Sequence, residues 1–359
     1  MKNSDKPPTD TFLNINANVT LNGEAIDYYP LLYRQTVLDK SWKKDNQKKQ
    51  QFSLLKRLKV QVVSDLDWCA DLWNEFSPHK SLFDTWDFRY AFYAGYKNDP
   101  YFLTLFLEDE PVGVLPLWYE AKKQKYFWFG SWWQEDNTFF VKDEIFAPLL
   151  IALAPKPLFL TGINIHGKNQ LNGTVAFEDD DPKFTLRTDR LNSLDDYLNS
   201  LKKKKRYNIK RDIRIIESHN PKIITNNFSD YSTMVQLTKR RFAMKGEEVD
   251  FKNNYRIKQF RQVIKLGLKH RNYEPRMITV MINNRVAAVD LVVIYKNIYY
   301  ALRGGLDVKR FPGIGSFMNS YEIEEAISFK SKRIDFLAED CGWKHTWFKS
   351  TPLYSFKKE

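Results

Sequence analysis

Arg310-Phe311-Pro312-Gly313-Ile314-Gly315 follows an apolar, β-rich run, Ile298 to Leu302, and leads into a helix-like segment, Ser316 to Phe329. A strand, a glycine loop and a helix in that order can hold a phosphate. The loop amides and the unpaired N–H groups of the first helical turn converge at the positive end of the helix dipole. Gly313 and Gly315 let the backbone approach an anion with no Cβ in the way. A strand-to-helix turn punctuated by glycines is the plainer reading of so short a pattern, so its surroundings decide its meaning.

A chain of 359 residues can bury one large core or two ordinary ones, and two are expected. The 43% hydrophobic content, with 26 Phe, 19 Tyr and 10 Trp, indicates a folded globular protein. No apolar run is long enough to span a bilayer, and the start, MKNSDKPPTD, lacks the apolar core of a signal peptide. Cys69 and Cys341 are far apart and the five histidines are scattered, so no metal site is expected and a cytoplasmic location fits. The net charge of +12 favours an anionic partner. Much of it lies in Lys202 to Arg214, KKKKRYNIKRDIR, a pattern that is more often a solvated helix face than a nucleic-acid site.

Residues 1–55 read as a partly disordered N-terminal extension. Residues 56–180 and 181–359 then show one order twice: strand, helices, antiparallel meander, helix, strand. In the first unit, helices are expected over Asp65 to Phe76 and Thr85 to Tyr96, and a hairpin over Tyr101 to Leu107 and Val112 to Tyr119. In the second, one long basic helix is expected over Asp195 to Glu217, and helices over Asp230 to Lys245 and Asn253 to His270. A meander then runs from Met277 to Leu302, and Arg333 to Ala338 is a strand that leads to a terminal turn at Trp343-Lys344-His345. The fold class is α/β with mixed sheets, in two packed units.

Three segments carry a resemblance to acyltransferases with two GNAT-like units per chain. This group includes enzymes related to cellulose-biosynthesis acetyltransferases and, more distantly, the Fem-type transferases. The segments are the basic helix Ser200 to Glu217, the run Tyr300 to Ile323, and Ile334-Asp335-Phe336 followed by Gly342-Trp343-Lys344. Trp343 stands where a Tyr or Phe is usual. The resemblance implies two GNAT-like units side by side, with acetyl-CoA or another acyl-CoA at Arg310, Phe311, Pro312, Gly313, Ile314, Gly315 and Ser316.

Acyl transfer from a thioester to an amine needs a polarised carbonyl, a neutral amine and a proton for the leaving thiolate. Asp290 lies in an otherwise apolar strand, where an ionised carboxylate is costly unless paired. It is a candidate base, and an ion pair with Arg303 or Arg285 is the structural alternative. Glu339 sits just past the strand Arg333 to Ala338, where α/β sheets place ligands. The family match makes Lys344 a candidate for holding a donor phosphate or stabilising developing charge. Arg206, Tyr300, Arg303 and Trp343 complete the candidate list as acceptor-binding residues. Asp335 reads as structural, and Trp128, Trp132 and Trp133 as core between the units.

The expected activity is acyl-CoA-dependent N-acylation of a small-molecule amine, with an amino sugar or sugar nucleotide suggested by family analogy. An aminoacyl-tRNA-dependent transferase and a non-catalytic polyanion-binding module are the alternatives, each using the basic helix on nucleic acid.

Overall fold

Alternating apolar residues make the strands, and polar side chains fix where the helices start. Leu58, Val60 and Val63 of β4 (Leu58–Val63) face inward. The Asp65 carboxylate then accepts from Trp68 N–H at 2.9 Å and starts α1 (Leu66–Phe76). The computed structural model describes residues 13–14, 20–21, 24–25, 57–131, 133–171 and 174–359. Trp132 and most of the 1–55 extension lie outside the described residues. The exceptions are three two-residue strands, β1 (Leu13–Asn14), β2 (Thr20–Leu21) and β3 (Glu24–Ala25).

The first unit continues with α2 (Trp86–Tyr96), the hairpin β5 (Asp99–Leu107) and β6 (Glu110–Glu120), and β7 (Lys125–Trp128). Next come β8 (Phe140–Val141), α3 (Ala147–Leu153), β9 (Leu158–Ile163) and α4 (Ile165–Gln170). The second unit has β10 (Glu178–Arg187), α5 (Leu194–Ser200), α6 (Lys203–Glu217), β11 (Lys222–Thr225), α7 (Tyr231–Lys245) and α8 (Asn254–His270). It ends with β12 (Glu274–Ile282), β13 (Arg285–Tyr295), β14 (Ile298–Leu306), α9 (Ile314–Ser328), β15 (Arg333–Ala338) and β16 (Lys349–Lys358).

All strands but β2 and β3, which pair with each other, form one mixed sheet in the order β1-β4-β5-β6-β7-β9-β16-β10-β15-β14-β13-β12-β11, with β8 beside β6. Two junctions in it are parallel, β7 with β9 and β14 with β15. Each comes at the same stage of its unit, which matches the expected repeat. The units also pack through an aromatic layer. Phe83 meets Tyr300 edge-on at 6.1 Å, and Phe92 meets Phe260 at 5.9 Å.

Three boundaries differ from expectation. The basic helix is two helices, α5 and α6, because Leu201 is extended and Ser200 Oγ bonds back to Tyr197 O at 2.7 Å. The glycine loop is shorter, since α9 begins at Ile314 and takes Gly315 and Ser316 into its first turn. The chain does not end in a turn. β16 buries Leu353, Tyr354 and Phe356 and pairs with both β9 and β10, joining the two halves of the sheet.

Candidate active site

β14 and β15 pair only from Ile298–Tyr300 to Arg333–Asp335 and then part. β14 stays with β13, whereas β15 leans towards β10 and sets Ala338 opposite Lys183. A cavity of about 760 Å³ opens in the wedge. Its walls are β14, the first turns of α9, the end of β15 and the first unit's Trp133-Gln134-Glu135.

Backbone groups left bare by the parting strands have other partners. Ala338 N–H donates to Glu135 Oε1 at 2.7 Å, and Lys344 Nζ donates to the carbonyls of Ala338 (2.7 Å) and Leu337 (3.4 Å). Leu337 and Glu339 both have left-handed backbones, φ 65° and 66°, which is unusual for side chains of their size. Behind them, the buried Lys183 ammonium lies 3.0 Å from Asp335, 3.3 Å from Glu135 and 2.5 Å from Asp136. Burial works against this cation, but the three carboxylates outweigh it and hold its pKa well above the ordinary value. Burial pushes Glu135 up to about 7, with Lys183 opposing the rise.

On the opposite wall, Asp290 of β13 stands across from Gly304 of β14. A Cβ on Gly304 would collide with Asp290 Oδ1, so glycine is what lets the carboxyl lie over the neighbouring strand. Asp290 is hydrogen-bonded to Glu322 of α9. Burial pushes Asp290 up to about 7, while Arg241 and the Glu322 bond pull it down. Burial and the Asp290 charge push Glu322 well above the carboxylate range. Two carboxyls so placed resist ionising together and titrate as a pair. Neither arginine considered as a partner for Asp290 is its ion pair. Arg303 binds Asp250 at 2.8 Å, and Arg285 is exposed.

Only part of the glycine loop reaches the cavity. Gly315 and Ser316 line it, whereas Phe311 and Ile314 are buried in the core behind α9. Arg310 and Pro312 are exposed, and the Arg310 guanidinium lies 3.6 Å from Asp307. Gly313, at φ 91°, makes the turn into the helix. Asp212 of α6 packs against Gly313 and accepts from Ser316 Oγ at 2.9 Å. A carboxylate thus already occupies part of the α9 N-terminus. The space over Gly315 is open, since a Cβ there would meet only Leu306 Cδ1 at 3.5 Å. A phosphate could therefore approach over Gly315 and the first-turn amides, beside Asp212.

The other candidates divide. Arg303, Glu339, Trp343 and Lys344 line the cavity with Asp290. Trp343 packs edge-on against Phe336, and burial lowers the pKa of Lys344. Tyr300 and Arg206 are not brought to the cavity. The Tyr300 hydroxyl accepts from Leu82 N–H at 3.1 Å in the inter-unit layer, and Arg206 of α6 donates to Asn199 of α5. Asp335 is structural, as expected, through Lys183. Trp133 does join the units, 5.0 Å from Phe260, but also lines the cavity, whereas Trp128 belongs to the first unit's own core.

Sequence reasoning did not find Glu322, Arg241, Glu135 or Asp212. A signal for Glu322 existed, because it lies one turn from both Met318 and Ala326 on the buried face of α9. The others come from distant elements, and no local spacing marks them.

Residues 203–345 match the family model described as acetyltransferase (GNAT) domain. No curated protein matches the chain. Among solved structures, the chain is similar to a conserved protein of unknown function from Bacteroides thetaiotaomicron VPI-5482, with 11% identity and a TM-score of 0.56 over 83% of this chain and 99% of that one. FemX is also similar, with 11% identity and a TM-score of 0.54 over 83% and 97%. So is the C-terminal domain of a putative lysylphosphatidylglycerol synthetase from Agrobacterium fabrum, with 7% identity and a TM-score of 0.51 over 82% and 93%. At these identities the structural likeness speaks for the fold. With an acetyltransferase (GNAT) domain over residues 203–345, the chain is an acyltransferase.

Proposed function

We propose that the chain transfers an acyl group from acetyl-CoA or another acyl-CoA to the amine of a small-molecule or sugar-type acceptor, in the cytoplasm where such donors are held. The observation that carries this reading is the open wedge between β14 and β15, whose lining includes both the first turn of α9 (Gly315 and Ser316) and the Asp290–Glu322 pair. In this reading the donor pyrophosphate lies over Gly315 and Ser316, and the thioester runs along the bare edge of β14. Backbone N–H groups there polarise its carbonyl.

Asp290 takes a proton from the acceptor ammonium. The freed amine attacks the thioester carbon, the C–N bond forms, the C–S bond breaks, and the departing thiolate takes up the proton that the nitrogen loses as it becomes an amide. Burial raises the pKa of Asp290 to about 7, which matches that task, and Arg241 and the Glu322 bond limit the rise. Lys344 and Glu135 hold the edge of β15 away from β14 and keep the wedge open. Trp343 and Arg303 line the acceptor side, and Glu339 stands at the exposed mouth.

A second reading, transfer from an aminoacyl-tRNA, is favoured by the exposed Lys203, Lys204 and Arg214 of α6 and by Asp212 at the α9 N-terminus. Thermal melts separate the two. A ligand at about 100 times its Kd adds about 2.7 kcal/mol to the folded state. Stabilisation by acetyl-CoA and not by charged tRNA supports the first reading. The reverse result supports the second.

A further inference from the structure

Arg241, on α7, is a cation in the cavity wall that the reaction described above does not use. Its Nε is buried with no hydrogen-bond partner, and no ion pair to it exists among the described residues. Burial lowers its pKa and the Arg303 charge adds to the drop, while the Asp290 charge opposes it most strongly. Arg303 differs in having Asp250 at 2.8 Å. The carboxylates that act on Arg241 are Asp290 of the carboxyl pair and Glu247, just past α7, which is 3.5 Å from Lys245. Asp290 attracts this guanidinium, but among the described residues no carboxylate is in ion-pair contact with it, so its burial remains costly and a bound anion would complete the site.

Its position indicates which part of the ligand it meets. Thr238, one turn earlier on α7, donates its hydroxyl to Gly304 O at 3.1 Å. Gly304 is the residue over which the Asp290 carboxyl lies. Arg241 is therefore held close to the carboxyl pair, on the same cavity. The planar guanidinium fork matches a carboxylate, and its pairing with one is strong because both partners are charged.

We infer that the acceptor carries a carboxylate close to its reacting amine, as an amino acid does, and that Arg241 binds this carboxylate while Asp290 faces the amine. This rests on the acyltransferase reading above and adds the acceptor class to it. Arg241 is a specificity residue here.

The test titrates the CoA-loaded protein with the proteinogenic amino acids and with their decarboxylated amines. At least one amino acid should bind about 10- to 100-fold tighter than its decarboxylated amine, and Arg241→Gln should abolish that preference. CoA affinity, measured in the same samples, should not change. No preference for any amino acid, or a preference that survives in a folded Arg241→Gln protein, overturns the assignment. Glucosamine 6-phosphate against glucosamine is the phosphate arm, and a larger Arg241-dependent preference there would replace carboxylate by phosphate. Failure of CoA to bind at all would instead sink the acyl-CoA reading, so the two failures are distinguishable.

Discussion

The two parallel-strand junctions of this molecule have the same place in their units and opposite contents. In the first unit β7 and β9 pair at Tyr126 and Leu158, and the space beyond is filled by the chain's own residues. Asn137 bridges to Ile163, and both Trp128 Nε1 and Asn137 Nδ2 donate to Thr161 O, at 2.9 and 2.8 Å. Arg89, fully buried, ties this plug together by donating to Phe83 O, Phe129 O and Asn137 Oδ1. In the second unit the same divergence is left open, and the backbone groups it exposes are met by Glu135 and Lys344. A repeated fold therefore does not mean a repeated site. What fills the divergence decides, and the plug of the first unit supplies a wall, Trp133 to Glu135, for the opening in the second.

The largest effect expected concerns the carboxyl pair, which the first junction lacks. Asp290→Asn should lower kcat by about 10²- to 10⁴-fold with little change in the KM for acyl-CoA. The wild-type rate should rise with pH through about 7 as Asp290 loses its proton, and that limb should vanish in the variant. The same shift has a stability side. A folded pKa raised above 3.8 stabilises below that pH, and the benefit is lost as pH rises through about 7. Denaturant melts should therefore show Asp290→Asn gaining on the wild type as pH rises across that window. An unchanged kcat per folded molecule would leave Asp290 a structural group.

Next is the joint between plug and wedge. Lys183→Met removes the cation from three carboxylates and should cost about 3–5 kcal/mol in denaturant melts. A near-neutral result would mean that the joint does not hold the opening. Lys344→Met is expected to be milder, about 1–3 kcal/mol, because it orphans two carbonyls and no buried acid. If Lys344 also stabilises charge on the donor, kcat falls while KM for acyl-CoA holds. If it binds a ground-state phosphate, KM rises instead. Smallest is the replacement of Lys202, Lys203, Lys204 and Lys205 by Gln. Nonspecific polyanion binding should weaken and lose salt dependence, with CoA affinity nearly intact. A collapse of CoA affinity would extend the donor site onto α6.

Much of this fold was legible because local pattern dictates it. Alternation marked the meander from β12 to β14, and the Asp65 cap marked the start of α1. Asp290 stood out because an acid among valines has to be accounted for by its surroundings. The rest depends on contacts between distant segments. β16 has a weak local signal, and its place between β9 and β10 comes from pairing with strands far apart in sequence. Asp212 meets Gly313 only because α6 crosses the α9 N-terminus, and Glu135 meets Ala338 only because the first unit's plug lies against the wedge. The loop pattern does lead into a helix, but of its residues only Gly315 and Ser316 line the cavity. Phe311 and Ile314 are there to anchor the turn in the core.

Calorimetric titration of acetyl-CoA into the wild type and Gly315→Val tests the central claim most directly. Gly315 is chosen because its surroundings leave room for a side chain without disturbing the fold, while that side chain would fill the approach to the first-turn amides. The account predicts one molecule of acetyl-CoA per chain in the wild type, because only the second junction is open, and an affinity loss of about 10-fold or more in a folded Gly315→Val protein. Two molecules per chain, or an unchanged affinity in the folded variant, would contradict it.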